Sequence, residues 1–155
     1  MKHNVLRFLY IGFVCCVVSC TGDKVYDRYN HTPIMGWEKV DTLKFEVPKL
    51  SQRGRYSTNL GLRIDNHYPF MSLTLIVEQT VYPGARTHVD TLHCSLVDEK
   101  GGMKGQGVGS YQYHFRVSEM NLKANDSLHI CVRHDMKREI MPGISDVGIE
   151  ISRLY

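Results

Sequence analysis

Thr58-Asn59-Leu60-Gly61-Leu62-Arg63-Ile64 alternates apolar with polar or small residues without a break, and Asp65-Asn66-His67-Tyr68-Pro69 follows with turn chemistry. Alternation of period two sends successive side chains to opposite faces, so Leu60, Leu62 and Ile64 share one side of a half-buried strand. The same grammar repeats in both directions. Toward the N-terminus, Leu43, Phe45 and Val47 alternate with Lys44 and Glu46 until Pro48 stops the run. Toward the C-terminus, Leu73, Leu75, Val77 and Val81 share a face ahead of Tyr82-Pro83-Gly84, and Leu92, Cys94 and Leu96 precede the turn Asp98–Gly102. Tyr111, Tyr113, Phe115 and Val117 make an aromatic strand face; Leu128, Ile130 and Val132 follow Asn125-Asp126; Val147, Ile149 and Ile151 follow Pro142-Gly143. Ser118–Ala124 has room for one helical turn at most. Seven strands at sandwich-like spacing, with no sustained helical period, predict an all-β antiparallel sandwich, Ig-like or jelly-roll-like, with one wet face per sheet.

Ahead of these strands the composition changes twice. Met1–Arg7 is a short cationic start, and Phe8–Ser19 is an apolar run of 12 residues, well short of the roughly 20 needed to cross a hydrocarbon core. A basic flank before a short apolar run is the form of a secretory signal. Val17-Val18-Ser19-Cys20 closes it in the manner of a bacterial lipobox, so residues 1–19 are expected to be a lipoprotein signal peptide and Cys20 the lipidated N-terminus. A diacylglycerol on the thiol and an acyl chain on the new amine would supply the two anchors that stable attachment requires. Residues 20–36 then read as a polar tether and 37–155 as the sandwich domain. Without Lys2 and Arg7 the mature chain carries 17 basic residues against 16 acidic ones, a balance that argues against a nucleic-acid binder.

Reaction chemistry is hard to find. Gly105-Gln106-Gly107-Val108-Gly109 lacks the Gly-Lys-Ser/Thr ending of a phosphate loop and leads into a strand. No two histidines stand at His-x-His or His-x-x-x-His spacing, there is no Gly-x-Ser-x-Gly elbow, and no thiol is read beside a base. Asp98 and Glu99 sit in a turn. The expectation is a protein with no catalytic residues, no metal and no cofactor. Cys94 and Cys131 leave two readings open, one disulfide outside the cytoplasm or two separate thiols, with alternation pointing them to opposite faces. Trp37, Tyr68 and Phe70 are candidate contact rings, because aromatic side chains anchor interfaces efficiently; packing at the sandwich end is the plainer account of the same rings. Tyr111 and Tyr113 offer a stacking platform for a glycan, although their parity with Phe115 and Val117 points inward.

Several stretches together resemble one family. They are Val25-Tyr26-Asp27, Asn66–Phe70 leading into Leu73–Glu78, Val89-Asp90-Thr91-Leu92, the turn Asp98–Gly102 with Gly105-Gln106-Gly107, and Gly143-Ile144-Ser145-Asp146-Val147-Gly148. Their order and spacing are similar to those of the GldH-type gliding-motility lipoproteins of Bacteroidota. The resemblance implies a lipid-anchored envelope component acting by protein contacts in gliding motility or the associated secretion machinery, with no catalytic residues and with partners it does not name. The alternative function is a lipid-anchored glycan- or small-ligand-binding sandwich. Thr21-Gly22-Asp23-Lys24 lacks the acidic surface-export signal frequent in that phylum, so the expected location is the periplasmic face of the outer membrane. Asp41-Thr42-Leu43, Asp90-Thr91-Leu92 and Asp126-Ser127-Leu128 resemble the O-glycosylation acceptor of the same phylum, making Thr42, Thr91 and Ser127 candidate acceptors at expected strand beginnings.

Overall fold

The computed structural model describes residues 23–155. The strands are β1 (Asp23–His31), β2 (Trp37–Glu38), β3 (Leu43–Val47), β4 (Gly54–Asp65), β5 (Ser72–Tyr82), β6 (Arg86–Ser95), β7 (Ser110–Leu122), β8 (Ser127–His134), β9 (Ile140–Met141) and β10 (Ile144–Arg153). One sheet has the order β1-β10-β4-β7, the other β3-β8-β5-β6, and β2 pairs with β9 in a small third ladder. Every pairing is antiparallel. Leaving out the short β2 and β9, the eight long strands carry the connectivity of a jelly roll, which decides between the two expected sandwich types. All seven expected strands are present.

The additional long strand corrects the boundary expected at residue 37. Asp23–His31 falls within the expected polar tether, yet it pairs with β10 from Asp23↔Arg153 to His31↔Asp146, with a bulge between Lys24 and Tyr26. It is an edge strand with only Tyr26, Tyr29 and Asn30 partly covered, so it needs no apolar stripe and shows none. β6 also begins earlier than its apolar residues suggest. Thr91 therefore lies in mid-strand rather than at a strand beginning, whereas Thr42 immediately precedes β3 and Ser127 opens β8.

Between the sheets, Leu60, Leu62, Ile64, Val147, Ile149 and Ile151 face Phe45, Leu75, Val77, Ile130 and Val132, all at or close to zero exposure. Removing each such side chain from water is worth about 1.5–3 kcal/mol, and this layer holds the sandwich closed. One polar group is built into it. Gln79 is fully buried, accepts from Thr58 Oγ1 at 2.8 Å, and donates to Ser118 Oγ at 2.8 Å and Asp90 Oδ2 at 3.4 Å. A satisfied amide linking strands of both sheets adds register information that apolar contacts lack. Both domain cysteines are free thiols: Cys94 faces the core and Cys131 sits half-buried on the outer face of β8. Burial pushes the Cys94 thiol up to about 12.

The topology gives the sandwich two unlike poles. At one lie the start of β1, the end of β10 and the connections 48–53, 83–85 and 123–126. At the other lie the longer connections 32–42, 66–71, 96–109 and 135–143, with the β2–β9 ladder among them.

Candidate functional site

The pole away from the chain start is built on buried rings. Trp37 is 0% exposed and its Nε1–H donates to the Asp41 carbonyl at 3.0 Å. His134 meets it edge-on, with ring centroids 5.4 Å apart. His134 Nε2 lies 3.1 Å from the Trp37 carbonyl and its Nδ1 lies 3.5 Å from the Met136 amide. A carbonyl accepts and an amide donates, so the ring sits as the neutral tautomer with its proton on Nε2. Burial is the main cause that holds its pKa below the ordinary 6.5, with Lys39 nearby adding to the depression. Tyr68 is 9% exposed and donates its hydroxyl to the Ser72 carbonyl at 2.8 Å, while half-buried Phe70 packs edge-on against it. Gly143 runs so close to the Tyr68 backbone, at φ 75°, that a Cβ there would collide with it.

The expectation that Trp37, Tyr68 and Phe70 form a contact surface is therefore corrected for the first two. Closure of the sandwich end buries both rings, and their polar atoms are spent on backbone carbonyls. The residues they support are the exposed ones. Pro33-Ile34-Met35-Gly36 is a turn closed by the Gly36 amide on the Pro33 carbonyl at 2.9 Å, with Gly36 at φ 117°. Ile34 at its tip is 102% exposed and Met35 89%, and Ile140, itself exposed, packs its Cγ2 over Gly36. Val40, Met71 and Val108 are exposed on the same pole. Large apolar side chains held in water by a hydrogen-bonded turn forgo their burial energy, which marks a surface suited to contact. Sequence reasoning missed Ile34 and Met35 because they lay in the expected tether; two large apolar residues bracketed by Pro and Gly in a polar stretch were the signal.

A polar depression of about 330 Å³ lies on the outer face of the first sheet. Its floor is the row Tyr29–Gly148–Gly61–His114 across β1, β10, β4 and β7. The Tyr29 ring lies flat over the two glycines, where any Cβ would strike it, and the Arg63 guanidinium covers it with Cζ 4.2 Å from the ring centroid. Gln112 Nε2 reaches the Tyr29 hydroxyl at 3.4 Å. The Tyr29 ring is thus sandwiched by the protein's own groups, and of the two residues expected to form a stacking platform Tyr113 is 5% exposed and Tyr111 half-buried. The two glycines carry outward parity in the sequence, but only the fold sets them side by side.

On the outer face of the second sheet a thiol does stand beside a base, contrary to expectation. His129-x-Cys131 shares one strand face, with Sγ 3.2 Å from His129 Nε2, and His129 Nδ1 is 2.5 Å from Glu46 Oε1 across the β3–β8 ladder. His129 stands between the other two, one ring nitrogen to each, so the three do not converge on a point. Among the described residues no group of His, Cys, Asp and Glu forms a metal-ligand set. Burial and the neighbouring Glu78 push the Cys131 thiol up, the opposite of what a nucleophile needs. Of the candidate glycosylation acceptors, Thr42 and Thr91 are exposed and Ser127 is half-buried, while Asp126 is buried and accepts from the Lys123 amide at 2.8 Å. Cys20 and the signal peptide lie outside the described residues.

The family model for the GldH lipoprotein matches residues 24–151. The gliding motility lipoprotein GldH of Flavobacterium johnsoniae is 30% identical over 142 residues, covering 87% of this chain and 88% of that one. A GldH homolog of Christiangramia forsetii is 25% identical over 162 residues, covering 99% and 98%. Among solved structures, a family GH115 4-O-methyl-α-glucuronidase aligns with a TM-score of 0.45 at 12% identity over 88% of this chain and 18% of its own. That likeness adds nothing to the reading of the site. With the match running from the first strand to the last, the chain belongs to the GldH family of gliding-motility lipoproteins.

Proposed function

We propose that this chain is held by a lipidated Cys20 in the periplasmic face of the outer membrane and serves gliding motility, or the secretion machinery associated with it, through protein contacts. The contacts are made by the pole away from the anchor. The observation that carries this reading is the turn at Ile34 and Met35, which displays two large apolar side chains on a support of buried Trp37, His134 and Met141. Burying such a pair against a partner is worth about 3–6 kcal/mol before the costs of association. The alternative of a glycan-binding sandwich has less support, since Trp37 and Tyr113 are buried and Tyr29 is covered by Arg63. Thr42 and Thr91, both exposed, are the proposed O-glycosylation acceptors.

The test is complementation in the native host after deletion of the gene, scored by colony spreading and by export of surface proteins. The wild-type chain is expected to restore both. Ile34→Asp/Met35→Asp is expected to restore neither, while remaining folded and membrane-bound, because exposed-site changes shift stability by only about 0.5 kcal/mol. Full restoration by the double variant would refute the role assigned to this turn.

A further inference from the structure

The opposite pole carries its own chemistry. Lys49, Arg53, Arg55, Arg86, Lys123 and Arg153 gather there from the connections and strand ends. Arg55 is engaged by Glu119 at 2.6 Å. Among the described residues the remaining five take part in no ion pair. Acidic side chains at or near the pole include Asp23, Glu46, Glu119 and Asp126, of which Glu46 lies against His129, Glu119 is paired with arginines and Asp126 is buried in its turn. Arg53, Arg86, Lys123, Arg153 and Tyr155 line a shallow cleft of about 540 Å³. Arg153 Nε is buried there without a hydrogen-bond partner among the described residues. Tyr82, Leu154 and Tyr155 stand exposed at the same pole.

We infer that this pole is a membrane-docking face that binds the phosphate headgroups of anionic lipid in the leaflet holding the anchor. The inference rests on the proposed lipidation of Cys20. Only Thr21 and Gly22 separate that residue from Asp23, and a fully extended chain gains at most about 3.6 Å per residue. The start of β1 therefore stays within roughly 11 Å of the lipidated cysteine, close to the Debye length of about 8 Å at physiological ionic strength. Asp23 pairs with Arg153, which pairs with Tyr56 beside Arg55, so the β1 start and the cationic cleft belong to the same edge of the sheet. Unpaired guanidinium and ammonium groups at that distance meet phosphate, and exposed tyrosines suit the boundary between headgroups and acyl chains. Lipid attachment supplies the hold; the cleft sets which end of the sandwich faces the leaflet.

The experiment uses the chain from residue 20 with Cys20→Ser, which has no lipid and retains every strand of the sandwich. Its partition onto phosphatidylcholine vesicles is compared with that onto vesicles containing phosphatidylglycerol. Preferential binding to the anionic vesicles, weakened by salt, is expected. Arg53→Ser/Arg86→Ser/Lys123→Ser should lower it roughly 100-fold, from about 1 kcal/mol per charge near the surface and tenfold per 1.4 kcal/mol. The exposed residues Lys100, Lys137 and Arg138 of the other pole, changed to Ser together, make the same charge difference and should leave binding within about threefold. Equal losses from the two triple variants, no preference for anionic vesicles, or calorimetric binding of inorganic phosphate as tight as that of the vesicles would each overturn the inference. Mass spectrometry of the native chain extracted from membranes reads Cys20 lipidation separately, so a failure of the anchor is not mistaken for a failure of the cleft.

Discussion

Replacing Trp37 by Ala separates a supporting ring from a binding ring. The indole is fully buried, packed against His134 and tied through Nε1 to the Asp41 carbonyl. Truncating a buried aromatic of this kind costs about 3–5 kcal/mol, the lost hydrogen bond included. A domain of this length has a total stability of about 5–15 kcal/mol and loses roughly 3 °C of Tm per kcal/mol. Trp37→Ala should therefore lower Tm by roughly 9–15 °C, read by far-ultraviolet circular dichroism because the variant lacks the chain's single tryptophan. Trp37→Phe, which refills most of the volume, should recover at least half of the loss. Hydrogen exchange should show the opening concentrated in β2, β9 and the turn 33–36, since the ring sits beneath all three. A fall of less than about 3 °C, equivalent to about 1 kcal/mol, would refute this account and return the ring to the role of a ligand platform.

Two further predictions concern the pole behind that ring and the edge strand. His134 is held neutral with its pKa below 6.5, so the unfolded chain takes up the proton first as pH falls. Its contribution to stability is complete above about pH 6.5 and is lost as pH drops through the folded-state value. Denaturant midpoints should decline over that window in the wild type and decline less in His134→Gln, whose amide can still donate to the Trp37 carbonyl; identical slopes in the two proteins would exclude His134 as the source. Gly148→Ala places a Cβ 2.7 Å from ring carbons of Tyr29, an overpacking expected to cost about 1–3 kcal/mol. The loss should appear as reduced amide protection in β1 and should shrink in the presence of Tyr29→Ala; strictly additive effects of the two changes would show that the ring does not rest on the glycine.

The strands that bury one face against the other sheet were legible because burial imposes a period on composition. Leu60, Leu62 and Ile64 or Val147, Ile149 and Ile151 could hardly be anything else, and both sets line the core. β1 escaped because an edge strand over a wet surface has no such obligation: its side chains are mostly exposed, and its place is fixed by backbone hydrogen bonds that any sequence can make. Losing β1 also concealed the jelly roll, since seven strands fit an immunoglobulin-like sandwich as well as they fit this one. The candidate site was less legible still. Aromatic residues in loops drew attention as contact rings, yet loop aromatics are also the residues that close the end of a sandwich, and Trp37 and Tyr68 do so. The exposed pair Ile34 and Met35 has no periodicity to announce it, and the cleft between Arg53, Arg86, Lys123 and Arg153 assembles residues far apart in the chain.

The placement of β1 links the two poles. A flexible tether would let the domain tumble above its anchor, so that no pole faced the leaflet preferentially. Because residues 23–31 are instead clamped along β10, only Thr21 and Gly22 remain between the proposed lipid site and the sheet. The ten residues of β10 run about 33 Å at the usual rise per strand residue, so a sandwich docked in the proposed orientation presents Ile34 and Met35 about that far from the leaflet. In the proposed orientation the same pairing brings Arg153 to the headgroups and carries the apolar turn away from them. A lipoprotein whose task is to meet a partner in the envelope gains from this arrangement: a fixed standoff limits the orientations a partner must search, and so lowers the entropy lost when the contact forms.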